Sequence, residues 1–240
     1  MILAILIAAV SALYATAGQA GGTGFVAVMA LAAFPTGEIR VTALALNIVA
    51  AGYATARLIS ARTVDWQLLG TLLIASAPAA FFGGCIVLGG KAAAIVTGLL
   101  LLAACAALLI QQHSAGEGRT ISTPLALAIG VATGFASGLS GIGGGVFLAP
   151  LLIVLAHMSP KRVAGLSPPF ILANSIVGLA AVLFAGQRLS FASLPLMLAA
   201  LGGSIIGTAV GLRWRSESVI RYILAIVLAV AGAELIIRAR

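Results

Sequence analysis

Apolar residues along this chain form long continuous runs, with polar residues confined to short breaks between them. The runs fall at about residues 2–17, 25–34, 41–60, 67–88 and 91–112, and again at about 124–140, 146–157, 163–187, 190–212 and 219–237. Runs near twenty residues suit helices that cross a hydrocarbon core of about 30 Å. The roughly ten-residue alternating segments of a transmembrane barrel do not occur. The pattern predicts an all-α polytopic membrane protein. The polar string Gln111-Gln112-His113-Ser114-Ala115-Gly116-Glu117-Gly118-Arg119 separates the two series. An N-terminal transmembrane repeat over 1–110, a linker over 111–123 and a C-terminal transmembrane repeat over 124–240 are therefore expected.

The two series share one order of parts. Gly21-Gly22-Thr23 matches Gly143-Gly144-Gly145, Phe25 matches Phe147 and Arg40 matches Arg162. Ser76-xxx-Ala80-xxx-Gly84 matches Gly203-xxx-Gly207-xxx-Gly211, and such rows of small residues let helix backbones approach closely. Duplication is the natural reading. The short segments 25–34 and 146–157 cannot cross a bilayer at about 1.5 Å per residue. Each glycine-interrupted pair is drawn as a re-entrant hairpin followed by three spans, and an odd number of crossings makes the repeats inverted. That drawing places Arg57, Arg62, Arg119, Lys161, Arg162, Arg213, Arg215 and Arg221 on one side. Arg40, Lys91, Arg188, Arg238 and Arg240 fall on the other, an imbalance that fits the positive-inside rule.

Composition sharpens the class. Apolar residues make up 62% of 240 positions and charged residues 8%, which excludes a soluble domain. The net charge of +8 comes from cations scattered at the ends of apolar runs, so a bilayer rather than a nucleic acid is the expected partner. Cys85 and Cys105 show no metal-binding spacing and read as buried thiols; no cofactor or metal is implied. The first twenty residues lack a basic segment before their apolar run, and the internal repeat argues against cleavage of a signal peptide.

Candidate chemistry gathers at the glycines. Consecutive glycines at membrane depth leave backbone N–H groups that hydrocarbon cannot satisfy, so they must be buried in protein or line a polar cavity. A short helix starting near Val146 would aim amides of Gly144 to Phe147 at an anion. Ser137 and Ser140 share a helix face beside Gly143, Gly144 and Gly145, and Ser167, Asn174 and Ser175 follow in the next span. Thr16, Gln19, Gly21, Gly22 and Thr23 occupy the comparable stretch of the first half. Spans without interior Lys or Arg suit weak, readily released binding. Pro150 and Pro168-Pro169 are expected to interrupt their helices. Glu234 reads as a local partner of Arg238, and His113 and His157 read as interfacial.

The run from Gly134 to Pro150, with Ser159-Pro160-Lys161-Arg162-Val163-Ala164-Gly165-Leu166-Ser167 after it, resembles the TauE/SafE family of sulfite and organosulfur exporters. The first half resembles that family's N-terminal repeat, ending in Arg62-Thr63-Val64-Asp65-Trp66. The resemblance implies a bacterial or archaeal cytoplasmic-membrane carrier for a small anionic sulfur-containing substrate such as sulfite or sulfoacetate. The expected function is secondary export by alternating access, without catalysis; assembly into a homo-oligomer is compatible with the sequence. A passive anion channel and an intramembrane thiol protein using Cys85 and Cys105 are the alternatives.

Overall fold

The computed structural model describes residues 1–32, 34, 36–86, 121–190 and 193–213, with single positions between 95 and 109 and between 222 and 237. The described residues are helical, with no strand among them. In chain order they form α1 (Ile2–Thr16), α2 (Gly22–Leu31), α3 (Thr36–Ser60), α4 (Trp66–Cys85), α5 (Thr123–Ser140), α6 (Gly145–Val154), α7 (Pro160–Phe184) and α8 (Leu194–Arg213). Five of these, α3, α4, α5, α7 and α8, are long and apolar enough to cross a membrane. Ile74, Phe82, Leu198 and Ile206 face outward, as expected for helices bathed in lipid.

Helices α2 and α6 hold ten residues each, about 15 Å of rise, so neither spans. Tyr14 Oη lies 2.8 Å from Thr23 Oγ1, and Gly24 sits against Val10 and Tyr14, so α2 folds back along α1. Both short helices begin from a glycine in the left-handed region, Gly21 at φ 109° and Gly144 at φ 78°. A β-branched residue would be strained there. These caps correct the match between the halves: Gly21 corresponds to Gly144, not Gly143, and the helices start at Gly22 and Gly145.

Two helix pairs are packed through small residues. Leu72, Ser76 and Ala80 of α4 lie on Gly130, Gly134 and Gly138 of α5, and the two helices run the same way. Ala8, Ala12 and Thr16 of α1 meet Gly203, Gly207 and Gly211 of α8 in the same manner. A Cβ at any of these α5 or α8 glycines would press on a backbone carbonyl. The stripes are packing surfaces, as the sequence indicates. Between the pairs, α3 and α7 run antiparallel, with Leu44 beside Gly178 and Gly52 beside Leu172. Equivalent polar ties cross this centre: Ser204 Oγ donates to Ala50 O at 2.8 Å, and Asn174 Nδ2 donates to Ser76 Oγ at 3.1 Å.

Pro168 and Pro169 do not interrupt their span. Helix α7 continues through them from Pro160 to Phe184, and α6 likewise continues through Pro150. Close packing holds the helix while two amides are missing; the prolines cannot donate to the carbonyls of Ala164 and Gly165. His157 turns the chain from α6 into α7 with φ 52°. Most of the segments 91–112 and 219–237 lies outside the described residues, as do His113, Glu234, Arg238, Lys91, Arg119, Arg215, Arg221 and Arg240.

Candidate functional site at the crossing of the two hairpins

The two helix breaks touch each other. Gly22 lies on the carbonyl of Ile142, and Gly145 lies beside Gln19 Oε1, so a side chain at either glycine would overlap the opposite break. All ten residues from Gly141 to Pro150 are buried.

Four polar side chains from four elements border this crossing. A Cβ built on Gly143 would fall 2.8 Å from Ser175 Oγ and 2.9 Å from Asn47 Nδ2; on Gly144, 2.9 Å from Ser137 Cβ; on Gly145, 2.6 Å from Gln19 Oε1. Gln19 Nε2 and Oε1, Asn47 Oδ1, Ser137 Oγ and Ser175 Oγ are buried and make no hydrogen bond. An unpaired buried polar atom costs about 1–3 kcal/mol, so such a cluster marks a place where a hydrogen-bonding guest is favoured. The amide of Asn47 is already oriented, since Nδ2 donates to Ile142 O at 3.0 Å.

Helix α6 adds backbone donors. Phe147 N–H turns back to Gly144 O at 3.1 Å, which leaves the amides of Gly144, Gly145 and Val146 as the donors at the start of the helix. The expectation that amides as far as Phe147 face a ligand is corrected accordingly. Two hydroxyls, the amide nitrogens of Gln19 and Asn47 and a helix N-terminus are donors that suit a small oxyanion. No group of three or more potential metal ligands occurs among the described residues.

Other expected site residues are engaged elsewhere. Ser140 Oγ donates to Ala136 O at 2.6 Å and Ser167 Oγ to Val163 O at 2.9 Å, each closing onto its own helix. Thr16 Oγ1 does the same with Leu13 O at 2.6 Å. Asn174 Nδ2 ties α7 to α4, and its Oδ1 is buried without a partner. Asn47 is the residue that sequence reasoning missed. Its position in a predicted span beside the matched glycines was the available signal.

A cavity of about 600 Å³ opens beside the end of α1 and reaches the first break at Gly18. Ala15, Thr16 and Gly18 lie along it from the end of α1, with Ala54 and Leu58 of α3 and Thr208 and Gly211 of α8. Ala164, Gly165 and Pro168 of α7 line its remaining side, so the proline-freed carbonyls belong to residues of its wall. Lys161 and Arg162 stand among its residues, and Arg162 Nη2 is 2.6 Å from Asp65 Oδ2. Asp65 also caps α4, accepting from Leu68 N–H at 3.1 Å. The hydrogen bond from Arg162 holds the Asp65 carboxyl below the usual carboxylate range.

The opposite ends of the helices carry a different device. Arg40, expected as an interfacial topology charge, lies one turn into α3 and reaches inward. Its Nη2 donates to Gly84 O at 3.0 Å and to Gly138 O, and its Nη1 donates to Ile86 O at 3.3 Å. One guanidinium thus collects terminal carbonyls of α4 and α5.

Residues 3–235 match the sulfite exporter TauE/SafE family. The chain belongs to the TauE/SafE family. A probable membrane transporter protein of Sinorhizobium fredii (strain NBRC 101917 / NGR234), y4hK, is 34% identical over 247 residues, covering 98% of this chain and 97% of that protein. A second, YunE of Bacillus subtilis (strain 168), is 31% identical over 127 residues, 52% of this chain and 46% of its own. No solved structure matches. TauE/SafE membership, together with the apolar spans, makes the protein a multi-pass membrane transporter.

Proposed function

We propose that the protein exports a small sulfur-containing oxyanion such as sulfite across the cytoplasmic membrane by alternating access. The observation that carries this reading is the buried, unpartnered set Gln19, Asn47, Ser137 and Ser175 at the start of α6. Hydroxyls, an amide and backbone N–H groups hold an anion without a fixed charge and so release it readily. Gly143, Gly144 and Gly145 let the polar side chains of Ser175, Asn47, Ser137 and Gln19 close in on the backbone at this point, and Gly22 of the first break lies on the carbonyl of Ile142.

Inverted repeats over 1–110 and 124–240 supply the two faces of the cycle. The opposed directions of α3 and α7, and the exchanged pairs α4 with α5 and α1 with α8, support that arrangement. Among the described residues, Arg57, Arg62, Lys161, Arg162 and Arg213 stand at the helix ends on the cavity's side, with Arg40 and Arg188 at the opposite ends. By the positive-inside rule the cavity then opens to the cytoplasm, ready for loading. An anion leaving a negative-inside cell is favoured by about 2.3 kcal/mol per charge per 100 mV, so no energy-coupling domain is required.

Exchange in proteoliposomes tests the reading. Labelled sulfite should enter faster against internal unlabelled sulfite, as a carrier requires. Equal rates with and without internal sulfite would favour a channel, and no sulfite flux at all would remove the substrate.

A further inference from the structure

We infer that Arg40 is the gating residue of the far side: its guanidinium locks the ends of α4 and α5 together, and transport requires that lock to open. The inference rests on the transporter reading above, and the two halves of the molecule supply the argument. On the far side, the stem of Arg40 crosses Gly141, while its head collects carbonyls from Gly84, Ile86 and Gly138. On the cavity side, the equivalent contact is made by Ala164, whose carbonyl a Cβ on Gly18 would approach to 2.5 Å. Both Gly18, at φ 71°, and Gly141, at φ 72°, end the first helix of their repeat.

The surrounding helix ends correspond as well. Gly211 of α8 meets Thr16 of α1 much as Gly83 of α4 meets Phe135 and Leu139 of α5. Where Arg40 stands the helix ends are tied; where Ala164 stands there is a cavity. A cation placed among helix C-termini interacts favourably with their carbonyl dipoles. A methyl group does not, so the same backbone arrangement is left open. Arg40 is also incompletely satisfied, because its Nε is buried without a partner. A lock that leaves one donor unpaired is easier to release than a saturated one. The gate therefore needs no extra domain: a single side chain ties one set of helix ends, and its replacement by a methyl group leaves the other set untied.

Native Cys85, last residue of α4 and flanked by Gly84 and Ile86, reports on the far side. With Cys105→Ala, a membrane-impermeant maleimide should label Cys85 at least about tenfold faster in Arg40→Ala than in the Arg40 protein, because the variant loses the charge-assisted ties to Gly84, Ile86 and Gly138 from a two-state equilibrium. Arg40→Lys should label at the slow rate, because an ammonium still ties the carbonyls. The mirror variant is more demanding. Ala164→Arg should fill the cavity and slow labelling of Thr16→Cys, in a background with Cys85→Ala and Cys105→Ala, by about tenfold. It leaves Arg40 untouched, so it tests the idea even if Arg40→Ala does not fold. Unchanged Thr16→Cys labelling in a monodisperse Ala164→Arg protein, or unchanged Cys85 labelling in Arg40→Ala, overturns the gate. Labelling needs no substrate, so the gate and the assignment of sulfite fail separately.

Discussion

The two helix breaks share a backbone but not a chemistry. In the first, Tyr14 of α1 and Thr23 of α2 satisfy each other across the hairpin at 2.8 Å. In the second, the place of Tyr14 is taken by Ser137, whose hydroxyl has no partner, and Gly145 precedes an apolar residue, Val146. The hydroxyls of the first break satisfy each other, although its Gln19 stays unpaired, whereas the equivalent hydroxyl of the second break has no partner. The first half reaches the second break through Gln19 and Asn47, which lie beside Gly145 and Gly143.

The largest expected effect separates the two caps. Gly144→Val should abolish labelled sulfite exchange, because its Cβ would lie 2.9 Å from Ser137 Cβ at a φ that valine resists. Gly21→Ala should instead cost stability, about 1 kcal/mol, while sulfite still raises the melting temperature; there the added Cβ meets only the ring of Phe25, at 3.0 Å. Normal exchange by Gly144→Val, in protein with unchanged circular dichroism, would end the argument for an anion at α6.

Next in size is Asn47→Asp. It places a carboxylate beside Gly143 and should weaken sulfite affinity, followed by the thermal shift over a ligand titration, by a factor of about 100 through like-charge repulsion at a buried position. A matched pair then gives smaller, opposite signatures. Ser137→Ala should leave the melting temperature without ligand unchanged or raised and lower sulfite affinity about fivefold, whereas Tyr14→Phe should lower stability by about 1 kcal/mol and spare affinity. Equal behaviour of the two variants would erase the distinction between the breaks.

Much of this architecture could be read from the chain, for identifiable reasons. Apolar length gave the spans, and the ten-residue segments after the glycines had too little reach to cross, so α2 and α6 were legible as half-helices. Hydroxyl roles were not legible. Ser137 and Ser140 share one face at helical spacing, yet Ser140 bonds to Ala136 O while Ser137 is held free beside Gly144. Periodicity places both hydroxyls on one face and carries no information about which of them bonds back to its own helix. The ties made by Arg40 were not legible for a similar reason. Its partners Gly84, Ile86 and Gly138 come from two other helices, and nothing local distinguishes it from a charge at a membrane surface.

The smallest effect lies outside the membrane, where the two halves are tied by charge. Asp65 caps α4 in the first half and binds Arg162 at the start of α7 in the second. Because Arg162 lowers the Asp65 pKa in the folded protein, the unfolded chain binds its proton more readily. The stabilisation is therefore complete above the ordinary carboxylate range and lost as pH falls through the lowered folded value. Both side chains are partly exposed, at 43% and 29%, so screening limits the pair to less than about 1 kcal/mol, with the cap adding about as much. Asp65→Asn should shift melting by only a few degrees at neutral pH and by less at acid pH, where the native carboxylate is itself being protonated. An equal shift at both extremes would mean that the cap hydrogen bond, not the charge, joins these helix ends.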